Sequence, residues 1–277
     1  MVRIARIRLD ELLPARGLAP SRAAARGLIM AGLVLVSGEV SDKAGTSVSV
    51  DADIVLKERP RFVSRAGDKL AHALETFGVS VVGASALDVG ASTGGFVDCL
   101  LQLGADKVIA LDVGRGQLDN RLRGHPRVHV LEKVNARYLT RAELPYEPDL
   151  LTMDVSFISV GKVLPAVVVC MAPRFEALVL IKPQFEAGPS QVGKGGIVRD
   201  PKTHREVLMH QGRFVIEELG AELLGICRSG LSGADGNQEF FFRIARGGEN
   251  GLGLDTLAAL VDDVIAEKER NKGRPRT

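Results

Sequence analysis

Chemistry in this chain is most legible where polar residues end apolar runs. Leu150-Leu-Thr-Met-Asp154 and Val179-Leu-Ile-Lys182 each read as a buried strand closing on a charged side chain. Glu239 opens a third apolar run, Glu239-Phe-Phe-Phe-Arg-Ile-Ala245. Open α/β sheets build their sites outside the carboxyl ends of their strands, and an antiparallel strand begins at that same edge. A lysine after three apolar residues is costly unless a carboxylate pairs with it. Structural ion pairing is one reading of Asp154, Lys182 and Glu239. The functional reading is two carboxylates and a lysine converging on the mouth of a ligand cleft, where they tune or move a proton. Lys69 falls at the edge of the apolar stripe of an expected helix, where a snorkelling surface lysine is the ordinary reading.

The ligand cleft is announced by Ser85-Ala-Leu-Asp-Val-Gly-Ala-Ser-Thr-Gly-Gly-Phe96. A short apolar run ends in Asp88, turns through Gly90, Gly94 and Gly95, and opens into Phe96-Val-Asp-Cys-Leu-Leu-Gln-Leu103 at helical spacing. Strand, glycine turn and helix begin a nucleotide-binding α/β unit, because glycine lets a ligand approach the backbone. A second apolar run, Lys107-Val-Ile-Ala-Leu-Asp112, ends in an acid at the distance where a carboxylate grips ribose hydroxyls. The spacing Gly90-x-x-x-Gly94-Gly95 departs from the dinucleotide fingerprint by two residues. A ligand without phosphate, S-adenosylmethionine, suits the turn and Asp112, with another nucleotide ligand left open. Gly188-Pro-Ser-Gln-Val-Gly-Lys194 imitates a phosphate loop, but Gly195 stands where Ser or Thr must hold magnesium. That stretch reads as a mobile loop near the substrate.

These residues need a scaffold of alternating elements. Expected strands cover 85–89, 107–112, 127–131, 149–154, 176–182, 221–228 and 239–245. Expected helices cover 65–77, 94–104, 159–171, 202–219 and 254–269. The alternation implies an α/β fold, a mostly parallel, doubly wound sheet ending in an antiparallel hairpin. Ahead of it, residues 1–58 read as a small α+β module. Ser21 caps a helix over Arg22-Ala-Ala-Ala-Arg-Gly-Leu-Ile-Met30, Gly32 to Gly38 holds a strand and turn, and Val48 to Leu56 alternates like a strand. Residues 59–64 are the expected linker, and 65–277 the larger domain.

Charge is distributed unevenly along the chain. Residues 1–70 hold 12 Lys/Arg against 8 Asp/Glu, residues 267–277 hold 5 against 2, and the middle holds 19 against 24. Basic ends around an acidic middle suit a nucleic-acid partner or a merely solvated surface. The tail Lys268 to Arg276 is open to both readings. Three dispersed cysteines form no metal or disulfide pattern and fit a reduced, cytoplasmic protein. The longest apolar run, Val163 to Met171, contains a proline and is too short to span a membrane.

Two resemblances follow from these stretches. Arg8-Leu-Asp10, Gly17-Leu-Ala, Ser21-Arg22, Leu28-Ile29, Gly32-x-Val34-x-Val36 and Val50-Asp-Ala-Asp-Ile54 resemble the S4-like RNA-binding domain. That resemblance implies phosphate contacts by Arg6, Arg8, Arg16, Arg22, Arg26 and Lys43, with Arg65 added from the larger domain. Residues 62–246 resemble FtsJ-like ribose 2′-O-methyltransferases, through Val63-Ser-Arg-Ala-Gly-x-Lys69, Asp112-Val-Gly-x-Gly-Gln-Leu118, Asp154-Val-Ser-Phe-Ile-Ser159 and Lys182-Pro-Gln-Phe-Glu186. The whole chain is similar to the TlyA family, some of whose members are labelled haemolysins. The resemblance implies a class I methyltransferase fold, ribosomal RNA or ribosomal subunits as partner, and a cytidine ribose as acceptor; a monomer is expected. Its catalytic residues would be Lys69, Asp154, Lys182 and Glu239. Lys182 would be poised by Asp154 and Glu239, and Lys69 would position the acceptor hydroxyl. S-adenosyl-L-methionine would lie on Asp88, Gly90, Ser92, Thr93, Gly94, Gly95, Phe96, Asp112, Asn135 and Asp154. No metal is expected, because a sulfonium already activates its methyl group. The rivals are a base amino-group methyltransferase, which lacks its Pro-Pro loop here, and a non-catalytic RNA-binding or ribosome-assembly factor.

Overall fold

The computed structural model describes residues 5–57, 60–233, 236–248 and 251–272, with side chains described as far as residue 266. Two compact units divide between Pro60 and Arg61. Part of the expected linker (residue 59) and the end of the basic tail (273–276) lie outside the described residues, as do the side chains of 268–272.

The first unit runs β1 (Arg6–Arg8), α1 (Leu9–Ala15), α2 (Arg22–Met30), β2 (Val34–Val36), β3 (Glu39–Val40), β4 (Ser47–Ser49) and β5 (Ile54–Leu56). Ser21 caps α2 as its sequence position implies, its hydroxyl accepting the Ala24 N–H. Leu9, Leu13, Ala25, Ile29 and Val34 are fully covered and form its core. The alternating stretch Val48 to Leu56 serves two sheets rather than one. β4 pairs antiparallel with β1, while β5 pairs with β2 beside β3. The three-residue β1, basic at both ends, is too short to show a period in the sequence.

The second unit begins with α3 (Ala66–Phe77), followed by β6 (Ser85–Val89), α4 (Gly95–Gln102), β7 (Lys107–Asp112), α5 (Asn120–Arg123) and β8 (Val128–Glu132). Then come β9 (Leu150–Met153), α6 (Leu164–Val168), β10 (Phe175–Ile181), α7 (Pro183–Glu186), α8 (Pro201–Arg213), β11 (Glu222–Arg228), β12 (Phe240–Arg246) and α9 (Leu254–Lys272). The seven strands lie in the order β11-β12-β10-β9-β6-β7-β8, and β12 runs antiparallel to both of its neighbours. The central strands read as continuous apolar runs because helices cover both faces. Leu87, Ile109, Leu151 and Val179 pack into one layer, and Ala86, Val108, Leu178 and Phe241 into the other.

Two expected helices are shorter than their apolar patterns. The stretch 159–171 is a 3-10 turn (Val160–Lys162) followed by α6, with Pro165 in the first turn of α6. Proline is tolerated there but not further inside a helix. The 202–219 stretch leaves α-geometry after Arg213 for a π-type turn over Phe214–Glu218. The terminal hairpin forms as expected, and β12 inserts beside β10. That insertion brings the start of β12 to the carboxyl end of β10, with Phe240 opposite Ile181.

Candidate active site

The glycine turn after β6 is pressed from two sides. Gly90 has φ 87°, and a Cβ there would stand 2.4 Å from the Asp154 carbonyl oxygen. A Cβ on Gly95 would stand 2.3 Å from Ser64 Oγ and 2.9 Å from the Gly67 nitrogen. These glycines let the ends of β6 and β9 touch and let α4 start against α3. Ser92 is held at φ 46°. Its N–H donates to Asp112 Oδ2 at 2.7 Å, and Gly114 N–H donates to Asp112 Oδ1 at 2.7 Å. Asp112 is thereby fixed as an acceptor with lone pairs to spare.

Beside this turn lies a cleft of about 370 Å³, lined among others by Gly90, Ser92, Asp112, Val113, Asn135 and Asp154. A recess of about 110 Å³ reaches Asp88, Thr93, Gly95 and Phe96. Asn135 also caps a short turn, its side chain accepting the Arg137 N–H at 3.1 Å. The Phe96 ring is committed to the core, 6.0 Å from that of Phe241. Asp88 is only 1% exposed. Thr152 Oγ1 donates to its Oδ1 at 2.8 Å, while Oδ2 meets no partner among the described residues. Burial pushes this carboxyl up to about 8, against the Thr152 hydrogen bond.

All four expected catalytic residues form ion pairs, but not in the expected combination. Lys182 follows the end of β10, and its Nζ lies 2.5 Å from Asp154 Oδ1, just past β9. The same nitrogen donates to Ser156 Oγ at 2.8 Å. Glu239, just before β12 and expected to help poise Lys182, is taken instead by Lys69, with Nζ 2.5 Å from Oε2. The reason is the closely seated α3, which delivers Lys69 from its first turn. Nor does Lys69 snorkel: it is 6% exposed, and its ammonium is buried with Glu239. The outcome is one deeply buried pair and one pair at the cleft.

Glu186 supports this arrangement, although nothing but its motif marks it in the sequence. It accepts the Ser159 hydroxyl at 2.6 Å, the Val160 N–H at 2.8 Å and the Gln211 amide at 2.7 Å. Burial raises its pKa against these bonds. It fastens the loop bearing Asp154 and Ser156 to the helix that follows Lys182. A carboxylate four residues past a strand-end lysine is the available signal. Phe157 stands on the cleft lip at φ 64°, 90% exposed, its ring 5.0 Å from Phe185.

The expected RNA contacts of the first unit divide into two groups. Arg8 Nε and Arg22 Nε sit 3.0 and 3.1 Å from the two oxygens of Asp10. The hydrogen bond from Arg8 lowers the Asp10 carboxyl to about 2. Arg16 donates to the carbonyls of Ala52, at 2.6 Å, and Val50. Arg6 donates to the Ser47 carbonyl and hydroxyl. These four brace the module. Arg26 and Lys43 are exposed, as is Arg65 in the second unit. Among the described residues no cluster of His, Cys, Asp and Glu is arranged to hold a metal, and no helix is long and apolar enough to cross a membrane.

Comparison with known proteins adds a family context. Residues 62–246 match the FtsJ-like methyltransferase family, and residues 7–54 match the S4 domain. The 16S/23S rRNA (cytidine-2′-O)-methyltransferase TlyA of Mycobacterium tuberculosis H37Rv is 42% identical over 264 residues, covering 95% of this chain and 98% of that one. Hemolysin A of Brachyspira hyodysenteriae is 41% identical over 236 residues, covering 84% and 98%. A solved structure bearing a hemolysin name, from Streptococcus thermophilus, superposes with a TM-score of 0.73 at 36% identity, covering 98% of this chain and 100% of that one.

Proposed function

The chain belongs to the FtsJ-like methyltransferase family, and on that premise we propose that it transfers the methyl group of S-adenosyl-L-methionine to the 2′-hydroxyl of a cytidine ribose in ribosomal RNA. The acceptor is the one named for its relative of near-equal length. The observation that carries the reading is the Lys182–Asp154 pair, 2.5 Å apart on the edge where the glycine turn opens its cleft.

The residues present fit the methyl donor. Asp112, fixed by two backbone donors, retains lone pairs for ribose hydroxyls. The unpartnered oxygen of buried Asp88 suits the donor's ammonium, and Gly90 and Ser92 line the recess beside it. When bound, the donor supplies a methyl group already activated by its sulfonium.

Lys182 answers the remaining difficulty, since a ribose hydroxyl is a poor nucleophile at neutral pH. An ammonium has three hydrogens. Ser156 engages one of them and Asp154 pairs with the charge, leaving a hydrogen for the acceptor oxygen. Nζ thus lowers the hydroxyl's pKa and stabilises the charge that develops on oxygen, whose proton passes to solvent as the oxygen takes the methyl group. The Lys69–Glu239 pair, buried at the same edge, holds α3 and the start of β12 in place for the acceptor to align. A ribosomal substrate supports work in the cytoplasm.

The test is transfer of labelled methyl groups to isolated ribosomal subunits, followed by alkaline digestion of the RNA. Label retained in alkali-resistant dinucleotides is expected. Label on a base, or binding without transfer, would overturn the proposal.

A further inference from the structure

The stretch between α7 and α8, whose sequence imitates a phosphate loop, takes no part in the chemistry above. After a 3-10 turn at Pro189–Gln191 it forms a small hairpin, with Gly193 bridged to Ile197. Gly195 and Gly196 turn its tip at φ 80° and 73°, and a Cβ on either would meet nothing within 4 Å. Backbone conformation, not crowding, therefore demands glycine there. Lys194, at the tip, and Arg199, at the base, are exposed and have no ion-pair partner among the described residues. From Val192 to Arg199 there is no acid.

The hairpin is fastened, contrary to the mobile loop expected from the sequence. Asn237, 3% exposed, accepts the Val198 N–H at 3.0 Å and donates to the Gly196 carbonyl at 3.0 Å. Its own carbonyl accepts the Gly233 N–H at 2.8 Å. From α8, His204 Nε2 lies 3.1 Å from the Val198 carbonyl. Asn237 stands two residues before Glu239, and the chain reaches the hairpin from α7, which starts directly after Lys182. Both attachments of the hairpin lead back to the paired lysines and acids. A buried amide that commits a donor and an acceptor to one exposed glycine hairpin fixes where its two cations stand.

We propose that the Gly193–Arg199 hairpin grips the backbone of the acceptor strand, with Lys194 and Arg199 on phosphates beside the methylated ribose and Asn237 as the positioning residue that holds it. This rests on the reading above that the acceptor is RNA. Phosphate contacts fix the register of a strand without reading its bases, and register is what selects one ribose among many. The glycines let the backbone approach the strand as closely as the lysine does.

The full-length protein is titrated with isolated small and large ribosomal subunits between about 50 and 200 mM potassium chloride, and the variants are compared with the wild type. Each phosphate contact contributes about 0.7 to the slope of log affinity against log salt on a single strand. Lys194→Ala and Arg199→Ala should each reduce the slope by about that amount and raise KM for the subunit. Cofactor affinity and kcat at saturating subunit should stay unchanged. An unchanged slope and KM in both variants overturns the proposal. For Asn237 the readout is a double-mutant cycle: Lys194→Ala should cost less affinity in an Asn237→Ala background than in the wild type. An equal cost in both backgrounds overturns the positioning role. Methyl transfer by the wild type on the same subunits is scored separately. Its absence counts against the RNA acceptor, whereas transfer with unaltered hairpin variants counts against the hairpin alone.

Discussion

Two lysine–carboxylate pairs of similar composition meet one sheet edge, and burial separates what each does. The side chains of Lys69 and Glu239 are 7% and 3% exposed, those of Lys182 and Asp154 11% and 18%. Removing one partner of a buried pair strands the other charge and costs about 3–5 kcal/mol. Glu239→Ala should therefore lower the urea midpoint sharply, whatever it does to activity. Lys182→Ala should lower the midpoint less than Glu239→Ala does and leave cofactor affinity nearly intact, while methyl transfer falls by about 10²–10⁴-fold, the range for a lost group that acts on the transferred proton. Transfer at the wild-type rate in Lys182→Ala would remove this lysine from the mechanism. The residue types are legible in the sequence as charges at the ends of apolar runs. Their pairing is not, because it depends on where α3 delivers Lys69, a contact across 170 positions. Asp88 adds a pH dependence. Its folded-state pKa is raised to about 8, so between the unfolded carboxylate value and 8 the native state holds a proton that the unfolded state has released. Stability falls as pH rises through that window, by at most about 1.4 kcal/mol per pH unit. Urea midpoints at intervals from pH 5 to 8 should fall in the wild type relative to Asp88→Asn, and parallel curves would refute it.

At the scale of elements, the order of strands and helices follows from apolar periodicity, because a sheet covered on both faces writes itself as uninterrupted hydrophobic runs. Where expectation and structure part, a local backbone cause is visible. Pro165 confines α6 to the segment it opens, and the first module divides one alternating stretch between two small sheets. The glycine turn is legible as a ligand turn, but its mechanical role is not. Gly90 is where β6 and β9 meet, and the meeting partner is the backbone of Asp154 itself. Gly90→Ala combines a left-handed conformation with a carbonyl 2.4 Å from the new carbon. A cost of about 1–3 kcal/mol from the conformation alone is expected, together with a loss of cofactor affinity as Asp154 is pushed outward. Gly116→Ala is the control, with φ 70° and nothing within 4 Å of its Cβ. It should show the conformational cost without the loss of cofactor affinity. Calorimetric titration of both variants distinguishes the contributions, and equal affinity losses would contradict a specific role for the β6–β9 contact.

Across the whole molecule, two units carry separate hydrophobic cores, and the proposed function assigns recognition to the first and chemistry to the second. The basic character of the first unit is legible in the sequence, since charge counts need no structure. Which arginines are available to a partner is not legible, because a bond to Asp10 or to a backbone carbonyl is invisible in composition. Arg8, Arg16 and Arg22 engage their guanidinium groups within the module, so replacing them by alanine should lower its melting temperature. Loss of RNA binding in such variants would be secondary to unfolding. Arg26 and Lys43 are exposed without that commitment among the described residues. The combined Arg26→Ala, Lys43→Ala variant should keep its melting temperature and cofactor affinity, raise KM for ribosomal subunits, and reduce the salt slope by about 0.7–0.9 per lost phosphate contact, according to whether the contacted RNA is single-stranded or duplex. Lys182→Ala should do the reverse, lowering kcat with subunit affinity retained. Sites with no shared partner act additively within about 0.5 kcal/mol, so the triple variant should show the sum of the two effects in binding and turnover. A marked departure from additivity would mean that recognition by the first unit is energetically coupled to chemistry in the second, and that the division of labour between them is incomplete.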